Sequence, residues 1–189
     1  MPQPSNRNRL LEHAEAVFRQ KGFNGASVQD ITRAADVPKG SFYNHFESKQ
    51  DLAVEIVHRY AGGTDLSPLE EGDSPVARLR AYLLGELERT KITGVEFGCL
   101  LGTFASDSAT AGDRVREAVG EALASRSDSL ARTIEEGQAT GDITARRPAG
   151  VLATFLVDAL EGAILRAKTA VGPSTAAEEI DIALDALRP

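Results

Sequence analysis

Apolar side chains recur at helical spacing along this chain, and no stretch alternates apolar and polar residues as a half-buried strand requires. Leu10, Leu11, Ala14, Val17 and Phe18 make a first stripe, which Gly22 stops after Lys21. Ser27 followed by Asp30 has the form of an N-cap with an acidic first turn, and Val28, Ile31, Ala34 and Ala35 line a short second helix ending near Asp36. Pro38 suits the start of a third helix, because a helix start leaves unpaired the N–H that proline lacks; this helix is expected to run to about Phe46. Ser48 and Asp51 repeat the capping pattern, and Leu52, Ile56, Val57 and Tyr60 give a fourth helix its buried side before Gly62-Gly63.

The next residues, GTDLSPLEEGDS, are the most loop-like of the chain. Beyond them Ser74-Pro75 opens a helix carrying Val76, Leu79, Leu83, Leu84 and Leu87, and residues 99–105 and about 113–138 supply two more. GDITARRP reads as a turn, Pro148 restarts the pattern, and Ser174 can cap a last helix with Ile180, Ala183, Leu184 and Leu187 on one face. The expected fold is all-α: a small head over residues 1–62, then a larger helical part over 63–189.

Composition narrows the function. With 189 residues and 42% hydrophobic side chains, the chain can bury a core. It has no apolar leader and no run of membrane-spanning length, so a cytoplasmic location without membrane association is expected. One cysteine, Cys99, excludes an internal disulfide and a multi-cysteine zinc site, and the scattered histidines suggest neither metal nor cofactor. The net charge of −7 argues against coating nucleic acid, yet residues 1–60 carry eight basic and seven acidic side chains while residues 61–189 carry thirteen and twenty-one. The anion-compatible end is the head.

Two short helices joined tightly and flanked by longer ones match a helix-turn-helix, whose second helix enters the DNA major groove. With Phe42 and Phe46 turned inward, Lys39, Gly40 and Ser41 face base edges, and Tyr43, His45 and Lys49 reach phosphates. An ordinary polar surface helix is the alternative, and for His45 a bond to nearby backbone competes with a phosphate contact.

The array SVQDITRAADVPKGSFYNHFESKQDL from Ser27 to Leu52, preceded by AEAVFRQKGFNG from Ala14, resembles the TetR family of bacterial repressors. The resemblance implies base-reading positions at Gln29, Lys39, Gly40, Ser41 and Tyr43, and phosphate-holding positions at Ser27, Tyr43, Asn44, His45 and Lys49. It also implies a homodimer on a palindromic double-stranded operator, joined through the two terminal helices. Leu156, Leu160, Ala163, Ile180, Leu184 and Leu187 are assigned to that contact, although the same residues would also serve a monomer core.

The stretches VEFGCLLGTFASD from Val95 and LEGAILRAK from Leu160 resemble the NemR-like branch, whose cysteine answers electrophiles or oxidants. This implies effector sensing at Cys99 with Lys168 as its cation, because a nearby positive charge or a helix N-terminus favours the reactive thiolate. Chemistry alone favours the other reading, in which Cys99, beside Leu100 and Leu101, is a small buried hydrophobe in a repressor that binds its effector reversibly. A thiol enzyme lacks a base near Cys99, and a helical interaction module without DNA affinity would lack steep salt dependence. The chain is therefore expected to be a repressor and not an enzyme.

Overall fold

The computed structural model describes residues 5–169 and 174–189; the backbone of Val95 is included but not its side chain. Among the described residues the regular structure is helical, and no helix is long and apolar enough to cross a membrane. Contacts divide the chain into two compact units, one of residues 1–63 with 100–122 and one of 64–99 with 123–189.

The first unit begins with α1 (Asn6–Gly25), which Ser5 caps and whose helical geometry breaks at Gly22, where φ is 71°. A Cβ at Gly22 would lie 2.6 Å from the Asp107 carboxylate, so left-handed backbone and close approach both call for glycine there. Helix α2 (Val28–Ala34) starts at the expected capping box: the Ser27 hydroxyl accepts the Asp30 N–H, and Asp30 accepts the Ser27 N–H. It ends in a left-handed turn at Asp36 (φ 50°), with the Val37 N–H donating to the Thr32 carbonyl at 3.0 Å, the six-to-one bond that closes a helix C-terminus.

Helix α3 (Lys39–Phe42) is shorter than the pattern predicts, with Pro38 at its N-cap. The chain continues as turns, held by the Phe46 N–H on the Phe42 carbonyl at 3.0 Å, so Phe42 and Phe46 still face inward together. Helix α4 (Lys49–Gly62) follows its Ser48 cap.

The head is larger than its first 62 residues. Helix α6 (Leu100–Ala111) and the start of α7 (Asp113–Thr140) belong to the same unit. Phe104 meets Phe18 edge-on at 5.1 Å and Phe23 at 6.0 Å, while Asn24 donates to Asp107 and Thr110. A cut at the glycine pair separates Phe104 from the aromatic cluster it completes, because packing does not follow chain order here.

The second unit contains α5 (Pro75–Ile92), the rest of α7, α8 (Ala149–Ala167) and α9 (Ala176–Asp185). Pro75 opens α5 after its Ser74 cap, as expected. The cap of α9 is Thr175 rather than Ser174, and Ser174 accepts the Ala176 N–H instead. Helices α8, α9 and α5 pack together over Leu79, Leu83, Leu156, Leu160, Ile180 and Leu184, and Arg80 closes their rim with two bonds to Asp181 at 2.6 and 3.0 Å.

The assignment of Leu156, Leu160, Ala163, Ile180, Leu184 and Leu187 to a subunit contact is corrected by this packing. All six are at most 5% exposed within a single chain, so they hold their own helices together and have almost no surface left for a partner. Helical spacing identifies an apolar stripe but not its neighbour.

Candidate functional site

The polar face of the helix-turn-helix rests on Phe42, which is fully buried, and Phe46. Lys39, Gly40, Tyr43, Asn44 and His45 are exposed, and the Tyr43 ring stands edge-on against Phe42 at 5.2 Å, its outer side free. A Cβ on Gly40 would meet nothing within 4 Å, so packing inside the chain does not demand glycine; close approach of another molecule would. Gln29 is exposed on α2.

The remaining members of the expected set are partly engaged. Ser41 is half-buried and accepts a bond from the Asn6 amide at 2.9 Å. Ser27 is exposed, but its hydroxyl donates to Asp30 at 2.7 Å. The Asp30 carboxyl is held well below its ordinary range by Lys21 first and by Ser27.

Lys49 differs most from expectation. Its ammonium turns inward to the Phe23 and Ala26 carbonyls at 2.6 and 2.8 Å, over the Phe23 ring, and burial lowers its pKa. It closes the end of α1 instead of projecting with Tyr43 and His45. Lys49→Met should therefore lower stability by about 1–2 kcal/mol in urea unfolding, through loss of charged hydrogen bonds. Lys39→Met should leave the midpoint unchanged.

Cys99 is buried in the second unit. Gly98 adopts φ +66°, and the place of its missing Cβ lies 2.9 Å from Lys168 Cδ, so the lysine stem crosses the residue before the thiol. The Lys168 stem thus passes the residue before the thiol, and a side chain at Gly98 would be excluded both by the backbone and by that stem.

Around Cys99 lies a charged cluster that the sequence did not reveal. The Arg126 guanidinium, 4% exposed, bridges Glu86 at 3.2 Å and Glu161 at 3.0 Å, and Arg89 stands 3.6 Å from Glu86. The Cys99 thiol donates to the Glu161 carboxylate, whose pKa is raised, chiefly by burial and against the pull of Arg126. Burial works against the Arg126 charge, but the anionic surroundings keep its pKa above the usual range. Burial also pushes the Tyr82 phenol up to about 12, and its hydroxyl has no hydrogen-bond partner among the described residues. These residues come from α5, α7 and α8 with no short-range pattern, so no local signal could have found them. Among the described residues, no group of three or more His, Cys, Asp or Glu side chains could hold a metal ion.

A compact helix-turn-helix presenting a polar helix start, followed by a separate helical unit, defines a DNA-binding regulator rather than an enzyme. Residues 10–56 match the family described as bacterial regulatory proteins, tetR family, and residues 75–181 match the tetracyclin repressor-like C-terminal domain. The chain belongs to the TetR family. It is 35% identical to the HTH-type transcriptional repressor DhaR of Mycobacterium sp. (strain GP1), over 97% of this chain and 92% of that protein. The crystal structure of reduced NemR from E. coli is similar at a TM-score of 0.80 and 26% identity, covering 96% of this chain and 94% of that one. A cysteine mutant of the TetR-family regulator CifR, complexed with 26-base-pair operator DNA, is similar at a TM-score of 0.83 and 26% identity over 99% of both chains.

Proposed function

We propose that this chain is a homodimeric transcriptional repressor, working in the cytoplasm, that leaves a palindromic operator when Cys99 is modified by an electrophile or oxidant. The carrying observation is the outward set Lys39, Gly40, Tyr43, Asn44 and His45 over a buried Phe42–Phe46 base, with Gln29 exposed on the preceding helix. Lys39 at the start of α3 and Tyr43 just past its end read or hold DNA; Asn44 and His45 serve the backbone. Lys49 and Ser27 support the head from behind rather than touching phosphate.

The exposed stripe Val151, Phe155 and Leu165 on α8, with Ile182 on α9, supports the dimer. For the thiol trigger, support comes from Lys168 beside Gly98, from the bond to Glu161 and from the start of α6 at Leu100. A covalent change at Cys99 acts on the next residue, where the chain enters the first unit.

A mobility shift with DNA from upstream of the protein's own gene tests the repressor. A sequence-selective complex is expected at moderate salt, and its absence would end this reading. Lys39→Ala should weaken all binding and reduce the slope of log affinity against log salt by about one for each lysine lost. Cys99→Ser should bind operator normally yet stay bound after treatment with an electrophile; normal release would exclude the thiol trigger.

A second reading has one observation behind it. A cavity of about 370 Å³ in the second unit is lined by Leu66, Leu69, Arg78, Ser129 and Thr133 among others, room for a reversible small effector while Cys99 only packs. In that case Cys99→Ser would still release DNA in response to the effector.

A further inference from the structure

The first turn of α1 is fastened to the helix-turn-helix through Asn6, Arg7 and Arg9. The Asn6 amide donates to the Ser41 hydroxyl at 2.9 Å, Arg7 donates to Glu55 at 2.6 Å with its guanidinium 5.4 Å from the centre of the Phe46 ring, and Arg9 donates to Asp36 at 3.1 Å. Ser5 caps the same turn by accepting the Asn8 N–H at 3.3 Å. A lone exposed bond between two polar side chains contributes little, because water competes for both partners. Here the helix start is pinned to the aromatic base under α3, to α4 and to the left-handed turn that ends α2, so the Asn6 amide reaches Ser41 from backbone that its neighbours already hold in place.

Ser41 is one of the expected base-reading positions, half-buried beside the exposed Lys39 and a Gly40 whose absent Cβ meets nothing within 4 Å. A serine hydroxyl with no neighbour turns freely and serves a base edge equally as donor or acceptor, so by itself it discriminates poorly. The bond from Asn6 occupies one lone pair of the Ser41 oxygen. The proton is then confined to directions away from the amide, and a hydroxyl that accepts a bond becomes a stronger donor. Asn6 thereby makes Ser41 an oriented donor, matched to the acceptors of the major groove: guanine O6 and N7, adenine N7 and thymine O4.

We infer that Asn6 is a positioning residue for operator recognition: from outside the helix-turn-helix, it orients the Ser41 hydroxyl to donate to an acceptor on a base edge. The inference rests on the repressor reading above and adds a residue that sets selectivity without itself reading a base. Neither Asn6 nor Ser41 is charged, so their contribution differs in kind from that of Lys39, which attracts any DNA. It belongs in the ratio of operator to random-sequence affinity and not in the salt dependence. Because the Asn6–Ser41 bond is exposed, its loss leaves no buried group unpaired and the head stays folded. A positioning role makes one further demand. Asn6 and Ser41 act as a unit, so removing either one removes the same contact with DNA.

The test is a double-mutant cycle on the full-length protein, measuring affinity over a range of salt for DNA from upstream of the protein's own gene and for random-sequence DNA of equal length. Ser41→Ala should weaken operator binding by about 30-fold, the scale of one net hydrogen bond lost from each half-site of a dimer. Asn6→Ala should weaken it by about 10-fold, and the double variant should lie within about twofold of Ser41→Ala, because the second change has nothing left to remove. All three should keep the wild-type salt slope, random-sequence affinity within about twofold and a melting temperature close to that of wild type. Wild-type operator affinity in Asn6→Ala or in Ser41→Ala would overturn the proposal. So would losses that multiply in the double variant, which would make Asn6 a separate contact, or an equal loss on random DNA, which would put Ser41 on phosphate. A melting temperature that falls with affinity in Asn6→Ala would reduce Asn6 to a support of the head. If the wild type does not distinguish the two DNAs, the repressor reading itself fails, and this inference with it.

Discussion

Phe155→Asp combined with Leu165→Asp should leave the 20.1-kDa chain folded but monomeric in sedimentation equilibrium, and should weaken operator binding by at least about 100-fold. Val151, Phe155, Asp158, Gly162 and Leu165 recur at alternating intervals of four and three residues, the spacing that lays one straight seam along a helix. In the single chain, Val151 is 56% exposed, Phe155 43%, Leu165 66% and Ile182 of α9 69%, so a large part of each apolar side chain faces water. The exposed Gly162 has nothing within 4 Å of its absent Cβ, which lets another helix come close. A second copy of the same face would bury these residues around an aromatic anchor. Two carboxylates placed there would have to be desolvated without partners, a penalty of several kcal/mol that dimer formation could not offset. In the proposed homodimer on a palindrome both heads must be held at fixed spacing, so loss of that dimer would remove most of the affinity without altering Lys39 or Tyr43. Leu160→Asp is the informative contrast: Leu160 is fully buried in its own chain, so this variant should unfold rather than dissociate. A double variant that stays dimeric would refute the α8 seam.

Arg126→Ala should destabilise the second unit by about 3–5 kcal/mol in urea unfolding, the scale of breaking a buried charge pair from one side. Arg126 is the cation that bridges Glu86 and Glu161, and its side chain is 4% exposed against 8% and 20% for theirs. Its removal leaves Glu161 without its cation, and Glu86 with only Arg89 at 3.6 Å, where water reaches poorly. Arg126→Met with Glu86→Gln and Glu161→Gln should recover most of the loss, since the uncompensated charges leave together. The pH dependence has a definite sign. Burial already raises the Glu161 pKa, and loss of Arg126 raises it further, so the folded variant binds a proton more readily than the unfolded chain. The deficit of Arg126→Ala relative to wild type is therefore fullest at neutral pH and above, and shrinks as pH falls through the Glu161 titration. A deficit independent of pH would mean that lost packing, not stranded charge, is responsible.

Much of the head was legible in the chain because its signals are local. The Ser27–Asp30 pairing acts within one turn, the break at Gly22 within one residue, and Phe42 with Phe46 within one helical step. Even so, Lys49 looks in sequence like its exposed neighbour Lys39. What separates them is the pair of carbonyls at the end of α1, more than twenty residues earlier in the chain, which only the folded head brings within reach.

The amino-acid sequence by itself determined that the chain is helical, where its helices begin, and which short segment carries the outward Lys39 and Tyr43. These follow from capping, spacing and turn chemistry, which act over a few residues. Tertiary structure alone decided that Phe104 completes the core of the head, that Leu156 and Leu160 face inward while Phe155 and Leu165 face out, and that Cys99 lies among Tyr82, Arg126 and Glu161. Helical periodicity defines a face but leaves its partner unspecified, and charges from three helices become one cluster only when those helices pack.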